Sequence, residues 1–231
     1  MTGFGIGVVI QMSLLFILVH GLALLAPAVL VRHLILPLMG LGLPGFVVGV
    51  MLLPAVFVLV LVSAVLCSGA ASRVFRLRYS GEHPLDLSVP DVRRWLLSLT
   101  IYLPTAVVLD FFHLYQLKTM HVQLFGGKVG KGVVMGALVM DPGLLTVGDG
   151  TVTGGFATIL GHAVEHGRIR FAPVRIGREC GVGTRATIIA GGVLEDGALL
   201  GAQSFLPKGG VVPAGKTYGG VPAREIATRA R

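Results

Sequence analysis

A first third with a single charged side chain, a cluster of arginines behind it and a six-residue glycine register through the second half predict the fold class. That class is N-terminal transmembrane α-helices followed by an all-β, left-handed parallel β-helix of about 4–5 coils. The chain has 231 residues, 54% of them hydrophobic and 13% charged. Intrinsic disorder requires the opposite balance and is excluded. Arg32 is the only charged side chain in residues 1–72, whereas 24 of the 34 glycines fall between Gly126 and Gly220.

The helices come first. Residues 4–31 run without a charge, and about 20 apolar residues suffice to cross a hydrocarbon core of about 30 Å. The run is too long for a signal peptide and has neither a basic leader nor an A-x-A end. A second charge-free run covers 34–72, interrupted by Pro37, Gly40, Gly42, Pro44 and Gly45, so the second crossing is expected over 46–67. Arg73, Arg76, Arg78, Arg93 and Arg94 follow it, and the positive-inside rule places them, with the N-terminus, in the cytoplasm. The expected setting is a cell membrane crossed more than once, with lipid as a partner and the β-helix domain on the cytoplasmic side. A third apolar stretch, Trp95–Phe112, carries Thr100, Tyr102, Pro104, Thr105 and Asp110, and reads as a re-entrant or interfacial helix rather than a third crossing. The organisation is therefore a transmembrane region over 1–72, a cytoplasmic linker with that helix over 73–124, and a β-helix domain over 125–231.

The net charge of +8 is scattered and lacks the interleaved aromatics of a nucleic-acid binder, so nucleic acid is not an expected partner. Cys67 and Cys180 build neither a disulfide framework nor a CxxC ligand set, and the absence of Asn excludes N-glycosylation.

The β-helix follows from a step of six. From Val129 it gives Val129, Met135, Asp141, Val147, Thr153 and Ile159; from Ile176 it gives Ile176, Val182, Ile188, Leu194, Leu200, Leu206, Val212 and Tyr218. Twelve of these fourteen are apolar, and the next position is Gly or Pro in eleven of the fourteen. A helix repeats at 3.6 and an ordinary strand at 2, so neither produces this register. A prism does, with one short strand and one tight corner per six residues and inward aliphatics stacking from coil to coil. The two registers do not join: Ile159 to Ile176 is seventeen residues, and the surplus falls in Leu160–Pro173, LGHAVEHGRIRFAP. A regular prism interrupted once is where a functional loop is expected.

From Leu124 onward the segments LFGGKVGKGVVM, DPGLLTVGDGTVTGG, LGHAVEHGRIRFAPVRIG and GGVPAREI resemble hexapeptide-repeat acyltransferases. Within that superfamily they are most similar to the membrane-linked C-terminal domains of nonribosomal peptide synthetases of the ε-poly-lysine-synthetase type. The GH-x-x-E of the inserted loop and the closing G-x-P-A carry the resemblance; the hexapeptides identify only the fold. The resemblance implies transfer of an acyl or aminoacyl group from a thioester, acyl-CoA or a phosphopantetheine-bound donor, to an amine or hydroxyl. It implies His162 as general base, with His166 as second choice and Glu165 as the carboxylate that orients the base. Backbone amides at corners such as Gly177 or Gly191 would meet the oxyanion, and Lys208, Lys216 and Arg224 the phosphates of CoA. It further implies a homotrimer with sites between neighbouring prisms, and a carrier protein or peptide synthetase as partner. No metal is expected. The absence of Asn departs from relatives that pair an Asn with the base.

Two rival readings remain at this stage. A non-catalytic trimeric scaffold at the membrane would need none of these side chains. A carbonic-anhydrase-type zinc site would use His162 and His166, but no third histidine follows them, and catalytic zinc takes three protein ligands.

Overall fold

The computed structural model describes residues 6–226 and divides into two compact units, Met1–Phe75 and Arg76–Arg231.

Among the described residues the first unit is helical except at its breaks. Helix α1 (Ile6–Leu30) runs through a π-helical turn (Val31–Ile35) into α2 (Leu36–Met39); α3 (Gly42–Met51) and α4 (Leu53–Val74) follow. The break falls at Gly40–Leu41, inside the Pro/Gly-rich stretch where the sequence places it. The two largely apolar helical runs, Gly7–Met39 and Gly42–Val74, are each 33 residues long, more than a bilayer core requires. The second therefore begins earlier and ends later than the expected 46–67. Helices α1 and α4 pack together, and Val19 and Ala23 of the first and Leu61, Val65, Ser68 and Ser72 of the second are buried. Small residues at such an interface let backbones approach without a large side chain between them. The outward aliphatics are bare: Leu14, Ile17, Leu25, Leu43 and Met51 are all exposed. A helix pair that is apolar all round cannot bury itself in a water-solvated fold of this size.

The second unit begins with a segment that the sequence reads as a linker and that carries structure of its own. Gly81–Pro84 forms a strand, α5 spans Pro90–Phe111 and α6 spans Tyr115–Leu124. Helix α5 buries Val92, Ser98, Ile101, Tyr102, Thr105, Ala106 and Leu109, one face along its whole length. Helix α6 is pinned to α5 and to the first coil by Lys118, fully buried, which forms an ion pair with Asp110 and donates to the Gly136 carbonyl at 3.2 Å. Tyr102 stacks on His121 at 4.5 Å between centroids, closing the same seam.

Residues 128–219 wind into a three-faced parallel β-helix. One face is built from Lys128–Val129, Leu145–Val147, Val174–Ile176, Val193–Leu194 and Val211–Val212. The second is built from Val134–Met135, Val152–Thr153, Gly181–Val182, Leu199–Leu200 and Thr217–Gly219, extended by an antiparallel Arg224–Glu225. The third is built from Leu138–Val139, Thr158–Ile159, Thr187–Ile188 and Phe205–Leu206. Inward residues stack from coil to coil, Val147 on Ile176 on Leu194 on Val212, and all four are buried. Gly183 shows why the register keeps glycine: a Cβ there would lie 2.3 Å from the Ala202 backbone nitrogen of the next coil.

The register departs from a uniform six in one place. The third-face residue of the first coil is Val139, paired with Ile159, and not Asp141. The step from Met135 to Val139 is short, the step from Val139 to Val147 is long, and the coil still closes in register. The long step holds a 3₁₀ turn, Pro142–Leu144, which takes Asp141 off the face and onto a corner. The next coil is interrupted at that same corner. Ile159 and Ile176 stand on successive faces, so the whole surplus between them belongs to one insertion. It forms a hairpin, His162–Glu165 and Arg168–Phe171, turned by His166 and Gly167 with φ of 48° and 72°. Two positive φ angles at the tip fit the strand twist of a two-residue hairpin. Gly81–Pro84 adds to the free edge, making a three-stranded antiparallel sheet. Ile169 and Phe171 of this sheet pack with Tyr79 and Val92, and against them Trp95, Leu87, Val89 and Leu144.

Candidate active site

The two irregular corners lie one above the other and bring Asp141 and His162 together. Asp141 is fully buried, and its Oδ2 lies 2.6 Å from His162 Nδ1. The same oxygen accepts the Gly161 backbone N–H at 2.8 Å. Oδ1 accepts the Tyr79 hydroxyl at 3.0 Å and the Trp95 indole N–H at 3.1 Å. Gly161 is required by this approach, since a Cβ there would meet the Leu144 side chain at 2.8 Å and the Asp141 Cβ at 3.0 Å. The His162 side chain is 13% exposed, enough to reach solvent at one edge, and the Trp95 ring meets it edge-on with centroids 4.9 Å apart.

A carboxylate only accepts, so Nδ1 of His162 is the donor in the bond to Asp141, and in the neutral imidazole Nε2 is then the acceptor. Tyr79 keeps its hydroxyl proton for Asp141: burial, and secondarily the negative charge of Asp141, hold its phenol pKa well above the usual tyrosine value.

The other residues singled out from sequence sit elsewhere. Glu165 is not the carboxylate on His162; it is half exposed on the hairpin and pairs with Lys208 at 2.5 Å. That bond, with the lysine charge behind it, holds the Glu165 carboxyl below the usual range. The cause is strand geometry, because Glu165 stands at the hairpin end and reaches down the same corner to a later coil. His166 is at the hairpin tip and exposed. The Gly177 amide donates to the Leu194 carbonyl at 2.8 Å and the Gly191 amide to the Ala172 carbonyl at 3.2 Å, so coil-to-coil bonding occupies both suggested oxyanion donors. Lys216 pairs with Glu225 at 2.9 Å, and Arg224 is exposed in the antiparallel strand after the last coil. Among the described residues no group of three or more His, Cys, Asp or Glu side chains is placed to hold a metal ion.

Asp141, Tyr79 and Trp95 are the residues that sequence reasoning leaves out. Asp141 did leave a signal: it is the one charged residue in a column whose only other polar member is Thr153, and it stands directly before Pro-Gly. Tyr79 and Trp95 left none, since only the added strand and α5 bring them to the corner.

A parallel β-helix with a buried histidine–aspartate pair at its one expanded corner is the class these features define. No family model matches the sequence. The chain is 27% identical over 173 residues to delta-poly-L-ornithine synthetase of Acinetobacter baumannii, a match covering 74% of this chain and 13% of that protein. It is 36% identical over 106 residues to the putative acetyltransferase YvoF of Bacillus subtilis, covering 44% of this chain and 60% of the relative. It is 28% identical over 161 residues to the putative colanic acid biosynthesis acetyltransferase WcaF of Escherichia coli, covering 58% and 85%. The chain thus spans about an eighth of the length of the first of these relatives and three fifths of the second, in each case less than two thirds. Among solved structures it is similar to a hexapeptide-repeat acetyltransferase of Vibrio cholerae complexed with acetyl coenzyme A (16% identity, 62% of this chain and 91% of that one, TM-score 0.45). The repeat register and the prism give the chain a hexapeptide-repeat parallel β-helix, and over part of its length it is similar to two putative acetyltransferases.

Proposed function

We propose that the chain is a membrane-anchored acyltransferase that moves an acyl or aminoacyl group from a thioester to an amine or hydroxyl, with His162 as general base. The observation that carries this reading is the 2.6 Å His162–Asp141 contact at the corner where the prism is expanded. The thioester, acyl-CoA or phosphopantetheine-bound, supplies an activated acyl carbon and a thiol leaving group. Asp141 holds the imidazole in the tautomer whose Nε2 takes the acceptor's proton as the acceptor attacks, and Nε2 returns it to the departing sulfur. Two putative acetyltransferases among the curated relatives support an acetyl donor. Lys208, Lys216 and Arg224 remain the proposed cations for a donor's phosphates. The ion pairs of the two lysines are solvent-exposed and exchange readily for another anion.

Anchoring rests on the two 33-residue apolar helical runs. Helix α5 is also long and apolar enough to cross, but its buried face follows the β-helix unit from Val92 to Leu109. Its other side ends in exposed Val107, Val108, Phe111 and Phe112. A helix packed on a polar-surfaced prism, with aromatics bare at one end, suits a bilayer surface better than a third crossing. Arg73, Arg76, Arg78, Arg93 and Arg94 support a cytoplasmic prism in a cell membrane. On the second face, Val134, Val152 and Leu199 are each more than 40% exposed, a ladder of outward aliphatics that supports packing against further copies as a homotrimer. A carrier protein or peptide synthetase is the proposed source of a carrier-bound donor.

The test is thiol release from acetyl-CoA, with panels of amine and hydroxyl acceptors, by the full chain in nanodiscs. His162→Ala is expected to lower kcat by on the order of a thousandfold; full activity in that variant contradicts the mechanism.

A further inference from the structure

We infer that Tyr79 and Trp95, which lie outside the repeats, are positioning residues that act on His162 through Asp141. The inference rests on the histidine-base reading and deepens it.

Asp141 offers about four acceptor positions in the carboxylate plane. All four are used: Tyr79 and Trp95 on Oδ1 at 3.0 and 3.1 Å, Gly161 and His162 on Oδ2 at 2.8 and 2.6 Å. Gly161 and His162 belong to the inserted loop. Tyr79 and Trp95 do not: one precedes the added strand, the other stands on α5. They are the two donors to the carboxylate that come from outside the inserted segment. Both are held in turn. Tyr79 packs against Phe171 at 4.8 Å between centroids, and Trp95 lies between Phe171 at 5.9 Å and His162 at 4.9 Å. Tyr79 is nine-tenths buried and stays a phenol, so it donates and never competes for the His162 proton. With either donor missing, one Oδ1 acceptor site is empty in a buried setting. The carboxylate can then rotate, and the Nδ1–H tautomer of His162 is no longer imposed.

The test uses the full chain, labelled with ¹⁵N-histidine, in nanodiscs at mildly alkaline pH. The variants are Tyr79→Phe, Trp95→Phe and the pair, with His162→Ala identifying the signal. Wild type is expected to show His162 with its proton on Nδ1 alone. Each single variant is expected to show a tautomer mixture, and the double variant a larger share of Nε2–H. With acetyl-CoA as donor, kcat should fall by about tenfold for each single variant while KM stays within about threefold. A packing role predicts none of this for Tyr79→Phe, which keeps the ring and removes only the hydroxyl. An unchanged His162 tautomer in the folded double variant overturns the inference. If His162→Ala loses activity while the double variant keeps wild-type kcat, the inference fails and the base assignment stands. If His162→Ala is fully active, the base assignment fails while the tautomer measurement still decides the positioning.

Discussion

The third corner of the prism is built in two ways, and the contrast separates architecture from chemistry. In the later coils it is short: after Ile188 the chain turns through Ala190 and Gly191, whose φ is 78°, and rejoins the next face at Val193. Everything buried there is small or aliphatic; the Ile189 and Gly191 amides bond the neighbouring coils, and the Gly192 amide closes the turn on the Ile189 carbonyl. In the first two coils the same corner is long. It holds a 3₁₀ turn, a hairpin and a fully buried carboxylate with four donors. Regular stacking places no charge in the core, because an unpaired buried charge costs far more than one repeat can supply. A charge becomes tolerable only where extra chain brings partners to it. Here the partners come from the hairpin, from Tyr79 and from α5. The repeat is a platform, and its two adjacent failures make the site.

Perturbing each side of that contrast should have a distinct signature. The largest stability effect belongs to the regular side. Ile188, fully buried between Ile159 and Leu206, should cost about 2–5 kcal/mol as Ile188→Ala, read as a lower denaturation midpoint, with KM for acetyl-CoA unchanged in the fraction that remains folded. Gly183→Ala forces a Cβ against backbone of the next coil and should cost about 1–3 kcal/mol by the same measurement. Gly161→Ala is expected to act on the irregular side: a small loss of stability, and a kcat about tenfold lower because the loop is pushed off Asp141. The smallest effect should be Glu165→Gln, which breaks only a half-exposed pair with Lys208; kcat and melting temperature should both stay close to wild type. A Glu165→Gln variant as damaged as Gly161→Ala would restore Glu165 as the partner of the base.

Much of the platform was legible because stacking is periodic. The glycine column exists because the next coil's backbone passes within 2.3 Å of where a Cβ would stand at Gly183, and that constraint recurs with each coil. The surplus at Leu160–Pro173 was legible for the same reason, as a break in a period. Asp141 showed only as a charge in the column; its place off the face was not legible, because a short step and a long step cancel within one coil and a fixed count of six passes over both. The oxyanion suggestions at Gly177 and Gly191 came from treating corner amides as free, whereas the coil-to-coil ladder uses them. Glu165 stood three residues from His162 in sequence, but the hairpin directs it to Lys208, and the carboxylate that reaches the histidine comes from twenty-one residues upstream. Tyr79 and Trp95 reach the site only through an added strand and a helix face, and neither has a period to read.

The central claim is that Asp141, through its 2.6 Å contact, makes His162 a base. Asp141→Asn tests it most directly, since the side chain keeps its shape and loses its charge. The measurement is steady-state thiol release from acetyl-CoA by the full chain in nanodiscs. By analogy with the corresponding change in serine proteases, kcat is expected to fall on the order of 10²–10⁴-fold with KM within a few-fold. A folded Asp141→Asn enzyme with kcat within about threefold of wild type would contradict the account.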